Sequence, residues 1–156
     1  MMIDTKVVIF KVENGEYSID VNYVISIEKE ENITPVPQLP PFVKGITKVR
    51  EELIPVIDLK NVLYNKVTEK NEQNKLIVLR TEDISFGIIV NDAKEILDIQ
   101  ADQFKEVGIS AYQKTEYITN VINLESRLIL MLDPTILLES LEGIKEIKDY
   151  MKNQPA

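Results

Sequence analysis

The groups able to do chemistry in this chain are mostly carboxylates: it carries 26 acidic and 18 basic residues, no histidine and no cysteine. Histidine is the usual proton carrier near neutral pH and the commonest metal ligand, so its absence removes most acid–base plans. Without cysteine there is neither a disulfide nor a thiolate metal site, which suits a reducing compartment. A serine nucleophile would have to rely on a lysine or a carboxylate as its base. The acidic groupings Glu51 with Glu52, Glu28 with Glu30 and Glu31, and Asp98 with Asp102 read as a solvated surface, and none has the spacing of a calcium loop. The five glycines, Gly15, Gly45, Gly87, Gly108 and Gly143, are scattered, so no phosphate-cradling loop exists. No catalytic residue, metal or cofactor is assigned. Arg50, between Lys48 and the pair Glu51-Glu52, is the cation best placed for recognition, since a guanidinium makes several directed hydrogen bonds while its stem packs on apolar neighbours. Its bland reading is a surface charge paired with Glu28 or Glu30 across a sheet.

The elements that must position Arg50 lie in residues 35–59, PVPQLPPFVKGITKVREELIPVIDL. Pro35, Pro37, Pro40 and Pro41 fix φ near −65° and supply no N–H, so they form a loop-like entry and not a central strand. Two β-favouring runs follow, split by the charged residues 48–52. Asp58 is placed to accept the first free N–H groups of a short helix over residues 59–64. Upstream, residues 6–12 are rich in β-branched side chains and lead through Glu13-Asn14-Gly15-Glu16, an Asn-Gly turn signal, into a hairpin. Residues 21–27 suggest a third strand, with a helical turn possible at 20–24, and the polar run 68–74 reads as a poorly ordered connector.

The chain then starts again. KVVIFKVENGEYSIDVNYVISI from Lys6 lies without a gap over KLIVLRTEDISFGIIVNDAKEI from Lys75, and ELIPVID is answered by RLILMLD. Polar and turn positions match as well as apolar ones, so two similar small β units are expected, over roughly 6–64 and 75–138. Five-stranded units of this size bury little alone and must pack together or be closed by a helix. Asp133 as cap and Pro134 in the first turn start such a helix, with Leu137, Leu141, Ile144 and Ile147 or Met151 at helical spacing. Residues 4–145 are expected to form the domain, and 146–156 the end of that helix and a disordered tail that includes residues 153–156.

The formal net charge of −8 repels nucleic-acid phosphate and anionic membrane surfaces, and basic residues are not interleaved with aromatics. Neither the opening MMIDTKVVIF nor the longest apolar run, residues 128–132, reads as a leader or a membrane span. A cytoplasmic protein is expected, one that reaches a membrane only through a partner.

The order of signals in PPFVKGIT, then VR, then IPVIDL resembles the signature region of the CheW family, adaptors of bacterial chemotaxis, and the likeness extends over most of the chain. Where that family usually reads Asn-Leu-Arg-Gly, this chain has Lys48, Val49, Arg50 and Glu51, so the turn glycine is replaced by Glu51. Losing the residue that takes φ > 0 cheaply implies another turn type or strain. The resemblance implies a mostly β fold of two similar five-stranded SH3-like β-barrel subdomains, intertwined, with a short helix after the first and a C-terminal helix. It implies no enzymatic activity and no cofactor. The implied partners are the regulatory domain of the histidine kinase CheA and the cytoplasmic tip of methyl-accepting chemotaxis receptors, bound at two surfaces by a chain that is monomeric when free. Arg50 matches the family's arginine, linked there to adaptor activity and to a glutamate on a neighbouring strand, where this chain has Ser26 with Glu28 two residues on. Implied partner-facing residues are Val24, Ser26, Lys44, Gly45, Val49, Arg50 and Glu51 in the first unit, and Val90, Ala93 and Ile96 in the second. Two alternatives remain open: an adaptor of a non-flagellar chemosensory system, and a double β-barrel holding a small apolar molecule between its halves.

Overall fold

The computed structural model describes residues 4–106 and 116–152, apart from the side chains of Lys94, Met151 and Lys152. Strands β1 (Thr5–Val12) and β2 (Gly15–Asp20) form the first hairpin, in which Val12 pairs with Gly15. The turn is therefore Glu13-Asn14, one residue ahead of the Asn-Gly pair, with Glu13 at φ 57°. Distant groups hold it there. The Glu13 N–H donates to Asn91 Oδ1 at 2.8 Å, and its carboxylate takes the Lys60 ammonium at 2.7 Å. Gly15 answers to packing, since a β-carbon there would stand 2.9 Å from the ring of Tyr17.

Asp20 accepts from the Asn22 N–H at 2.9 Å and starts one 3-10 turn, Val21–Tyr23, before β3 (Val24–Lys29). The proline-bearing loop then delivers β4 (Val43–Val49), β5 (Glu52–Asp58) and helix α1 (Leu59–Tyr64). A second series follows: β6 (Lys75–Arg80), β7 (Ser85–Val90), β8 (Asp92–Ile99), β9 (Phe104–Glu106), β10 (Ile118–Leu124), β11 (Arg127–Leu132), α2 (Pro134–Ser140) and α3 (Ile144–Lys152). The protein is mostly β, with short helices.

The strands make two sheets, in the orders β8-β1-β2-β11-β10-β9 and β3-β6-β7-β5-β4. Matched by order, β8, β1, β2, β11 and β10 of the first stand where β3, β6, β7, β5 and β4 stand in the second. The hairpins are thus exchanged. β1 and β2 belong to the sheet completed by the second half of the chain, and β6 and β7 to the sheet completed by the first. Two parallel pairings join the exchanged parts, β2 to β11 and β7 to β5. One sheet has the expected five strands; the other gains the three-residue β9, too short to show any alternation in the sequence.

Alternation then sets three cores. In β6, Leu76 and Val78 face a small core with Val49, Ile54, Val56 and Ile89, while Ile77 and Leu79 face the central core with Phe10, Ile19, Ile57, Phe86 and Ile88. Val7, Ile9, Ile99, Ile122 and Ile129 form the matching small core of the other sheet.

Two expectations change. The single C-terminal helix is two, because Leu141 takes an extended conformation as the cap of α2 and Gly143 turns the chain at φ 83°. Leu141, Ile144 and Ile147 all remain buried in the central core, so α3 packs back on the protein. The connector over residues 68–74 is also fixed at both ends, since Thr68 and Asn74 are buried. The Asn74 amide donates to Glu30 Oε1 (3.1 Å) and to the Glu69 carbonyl (2.8 Å), which a polar run gives no means to foresee. The tail expectation for 153–156 lies outside the described residues.

Candidate functional site

The β4–β5 hairpin carries most of the first-unit candidates. Val49 pairs with Glu52, leaving Arg50 and Glu51 as a two-residue loop at φ 51° and 69°. Positive φ at both central residues is the type I′ pattern that matches the right-handed twist of a hairpin. Glu51 is thus a side chain in a backbone state suited to glycine. Its carboxylate lies 3.6 Å from Lys48 Nζ, a pair open to solvent.

Arg50 is exposed at the tip, and among the described residues it has no ion-pair partner. The acids considered for it are engaged elsewhere: Glu28 accepts from Ser26 Oγ at 2.7 Å, and Glu30 from Asn74. Arg50 lines a depression of about 80 Å³ together with Ile25, Val49, Ile54 and Val78 and the charged Arg80 and Glu52. Ile25 belongs to β3 and Val49 to β4, so the two edges of the five-stranded sheet converge beside Arg50. Val49 itself is buried and supports this surface from within.

Gly45 and Lys44 hold the hairpin's base. The proline-bearing loop lies along the outer edge of β4, where the Thr34 N–H donates to the Ile46 carbonyl (2.8 Å) and the Ile46 N–H to the Thr34 carbonyl (2.9 Å). At Gly45, φ is 149° and a β-carbon would stand 2.1 Å from the Thr34 carbonyl oxygen. No side chain fits there. Lys44 Nζ lies 3.8 Å from Asp58, which is buried. Asp58 caps α1 through the Asn61 N–H (3.4 Å), and it also accepts from the N–H (2.9 Å) and the hydroxyl of Thr68. Its role as a cap was legible in the sequence; its grip on the connector was not.

The remaining candidates separate. Val24, half-buried, packs on the central core, and Ser26 stands on the same edge strand, β3. Ser26 and Lys29 have the Ser-x-x-Lys spacing of some nucleophilic sites, but residues three apart on a strand point to opposite faces, so they do not meet. Val90 is buried in the central core next to Asn91. Ala93 pairs with Phe10, and Ile96, opposite Val8, is 55% exposed on the edge strand β8. Ile27, its counterpart by strand order on β3, is also exposed. The structure therefore gathers Lys44, Gly45, Val49, Arg50 and Glu51 at one hairpin, puts Val24 and Ser26 on the neighbouring edge, and sets Ala93 and Ile96 on the other sheet.

Other charged clusters are framework. The Arg127 guanidinium donates to both carboxylate oxygens of Glu16 (3.1 and 2.7 Å) and reaches Glu95 at 2.7 Å, joining β11, β2 and β8. These two carboxylates push its pKa further up. The hydrogen bond from Lys60 holds the Glu13 carboxyl below the ordinary carboxylate range. Burial, with the Tyr64 hydroxyl bonded to it, raises the Tyr17 phenol. Among the described residues no group of three or more acids could hold a metal ion, and no helix is long and apolar enough to cross a membrane.

The arrangement is one of surfaces and not of reacting groups, and the comparisons agree. The family described as CheW-like domain matches residues 6–142. The chemotaxis protein CheW of Bacillus subtilis is 28% identical, over 92% of this chain and 93% of its own length. The chemotaxis protein CheW of Klebsiella aerogenes is 31% identical, over 86% and 81%. The crystal structure of the scaffolding protein TtCheW from Thermoanaerobacter tengcongensis superposes with a TM-score of 0.81 at 24% identity, covering 90% of this chain and 96% of that one. The chain belongs to the CheW family, non-enzymatic scaffolding and adaptor proteins of chemotaxis.

Proposed function

We propose that this protein couples methyl-accepting chemoreceptors to the histidine kinase CheA, binding each at its own surface in the cytoplasm. The observation that carries this reading is Arg50: exposed at a strained hairpin tip, without an ion-pair partner among the described residues, lining a small depression with Ile25, Val49, Ile54 and Val78 and the charged Glu52 and Arg80. A guanidinium left in water beside apolar side chains gains both a carboxylate and desolvated stem contacts when a protein surface closes on it. Glu51 borders that surface and Ser26 stands next to Ile25 on β3; Val49 supports it from within, Lys44 and Gly45 hold the hairpin's base, and Val24 and Val90 pack in the central core. Ala93 and Ile96 offer a second surface on β8.

The test is titration of the full chain with the CheA regulatory domain and with a receptor-tip peptide, comparing wild type, Arg50→Ala and Ile96→Asp, with circular dichroism as the check on folding. A folded variant that loses one partner and keeps the other supports two-surface coupling. Failure of the wild type to bind either partner from its own organism would remove the proposal. The small-molecule alternative loses ground because the space between the sheets is filled by Phe10, Ile19, Ile57, Leu79, Phe86 and Ile88.

A further inference from the structure

The two sheets differ on one matched face. On the five-stranded sheet, α3 lies over β5, and its Ile147 and Tyr150 line an apolar groove of about 310 Å³ with Leu39, Pro40, Ile46 and Pro55. Lys148 anchors the helix to Asp83 in the β6–β7 turn at 2.8 Å. Ile46 faces Pro55 across β4–β5 as Val121 faces Leu130 across β10–β11. The six-stranded sheet therefore has an equivalent apolar face.

The chain after α1 begins to cover that face and then leaves it. The Tyr64 hydroxyl bonds to that of Tyr17, and Lys66 Nζ reaches 3.9 Å from Glu13 in the β1–β2 turn. The next residues turn back, with the Thr68 N–H on Asp58, and no second helix follows before β6. Leu130 pairs with Tyr17 in the parallel ladder, so Leu128, two residues earlier, stands level with Gly15 on the face that Tyr64 touches. Leu128 is 67% exposed, Val67 64% and Tyr64 38%. Leu128 and Tyr64 are thus exposed apolar side chains on one face, with Val67 exposed on the segment that leaves it, and exposed apolar groups of this kind mark an interaction site.

We propose that Tyr64, Val67, Leu128 and Leu130 form a docking face for an amphipathic helix of a partner protein, seated as α3 is seated on the other sheet. The internal counterpart defines the occupant: a helix of about α3's length, with apolar residues three apart like Ile144 and Ile147. Lys66, whose side chain is 64% exposed at the rim, favours an acidic residue on the helix flank. This face is separate from the Arg50 and Ile96 surfaces, and the inference stands without that assignment.

The test uses isotope-labelled full-length protein and a stapled helical peptide with the sequence of residues 143–152, GIKEIKDYMK, beside a scrambled control, read by amide chemical shifts. Saturable shifts at Tyr64, Val67 and Leu128, weakened about tenfold or more in both Leu128→Asp and Val67→Asp, are expected. Each variant is checked for an unchanged spectrum away from the face. Shifts centred instead on Ile46 and Asp83 would mean that the peptide displaces α3, and would overturn the proposal. Concentration-dependent broadening at Leu128 without peptide would assign the face to a second copy of the chain, and no shifts at all would leave it without a helix partner; either result overturns the inference.

Discussion

Replacing Glu51 by glycine should stabilise the protein, although it deletes a charged contact. Glu51 sits at φ 69°, where a β-carbon crowds the following carbonyl. An L-residue there carries about 1–2 kcal/mol that glycine avoids, while glycine gives back about 0.5–1 kcal/mol through the greater freedom of its unfolded chain. The lost contact, Lys48 to Glu51 at 3.6 Å, joins side chains 56% and 89% exposed. Such a pair contributes only about 0.3 kcal/mol. The net gain is about 0.5 kcal/mol, which for a chain of this size raises Tm by about 1–2 °C. Urea titration and thermal melts of wild type, Glu51→Gly and Glu51→Ala would read it. Alanine removes the same ion pair but stays at positive φ, so it should be neutral or slightly destabilising. If alanine stabilises as much as glycine, backbone strain is not the cause, and if glycine destabilises, the turn geometry argued above is wrong. Titrating the CheA regulatory domain against the same variants would show whether Glu51 also acts at the partner surface.

Gly45→Ala should be the most damaging change in the hairpin: the new β-carbon meets the Thr34 carbonyl oxygen at 2.1 Å, so the loop must leave β4 and forfeit its two backbone hydrogen bonds. A loss of about 3 kcal/mol or more is expected in urea titration. Arg127→Lys keeps the charge but not the fork on Glu16 and the reach to Glu95, and should lower stability by about 1 kcal/mol by the same measurement. Glu13 has its carboxyl held below the ordinary value by Lys60, so its contribution is complete above about pH 4.3 and is lost as pH falls through the lowered value. Glu13→Gln should therefore be less stable than wild type near neutrality and show a shallower decline on acidification, measured as urea midpoints from pH 7 to acid.

What the sequence made legible was local. Alternation marked the strands, Asp58 and Asp133 marked the helix starts, and Pro35 to Pro41 marked the loop that the structure lays along β4. Gly143 held a readable stop signal that the apolar spacing of Leu141, Ile144 and Ile147 masked, because those side chains are buried whether or not the helix is continuous. The turn at Glu13-Asn14 fell one residue from the Asn-Gly pair because Asn91 and Lys60, far along the chain, hold Glu13 at positive φ. Thr68 and Asn74 looked like solvated connector because their partners, Asp58 and Glu30, lie in other segments. Type and neighbourhood left Arg50 evenly balanced between surface charge and recognition, and the family resemblance singled it out; whether it had a partner depended on Glu28 and Glu30 turning to Ser26 and Asn74.

The exchange of hairpins bears most directly on how an adaptor of this kind can work. Two β units joined by residues 65–74 would, if each paired only with itself, swivel about the connector and hold their surfaces in no fixed relation. Here each sheet is complete only with strands from both halves, because β2 lies against β11 and β7 against β5. The central core then takes Phe10 and Ile19 from one hairpin, and Leu79 and Phe86 from the other. Parting the sheets would therefore expose that core, and hydrophobic burial opposes it far more strongly than a flexible linker could. Arg50 on one sheet and Ile96 on the other are held in a single frame, so partners bound at these two proposed surfaces would be held in a fixed relation. Rigid spacing of two surfaces is the physical property that coupling requires, and it arises from strand order and not from any one residue at either surface.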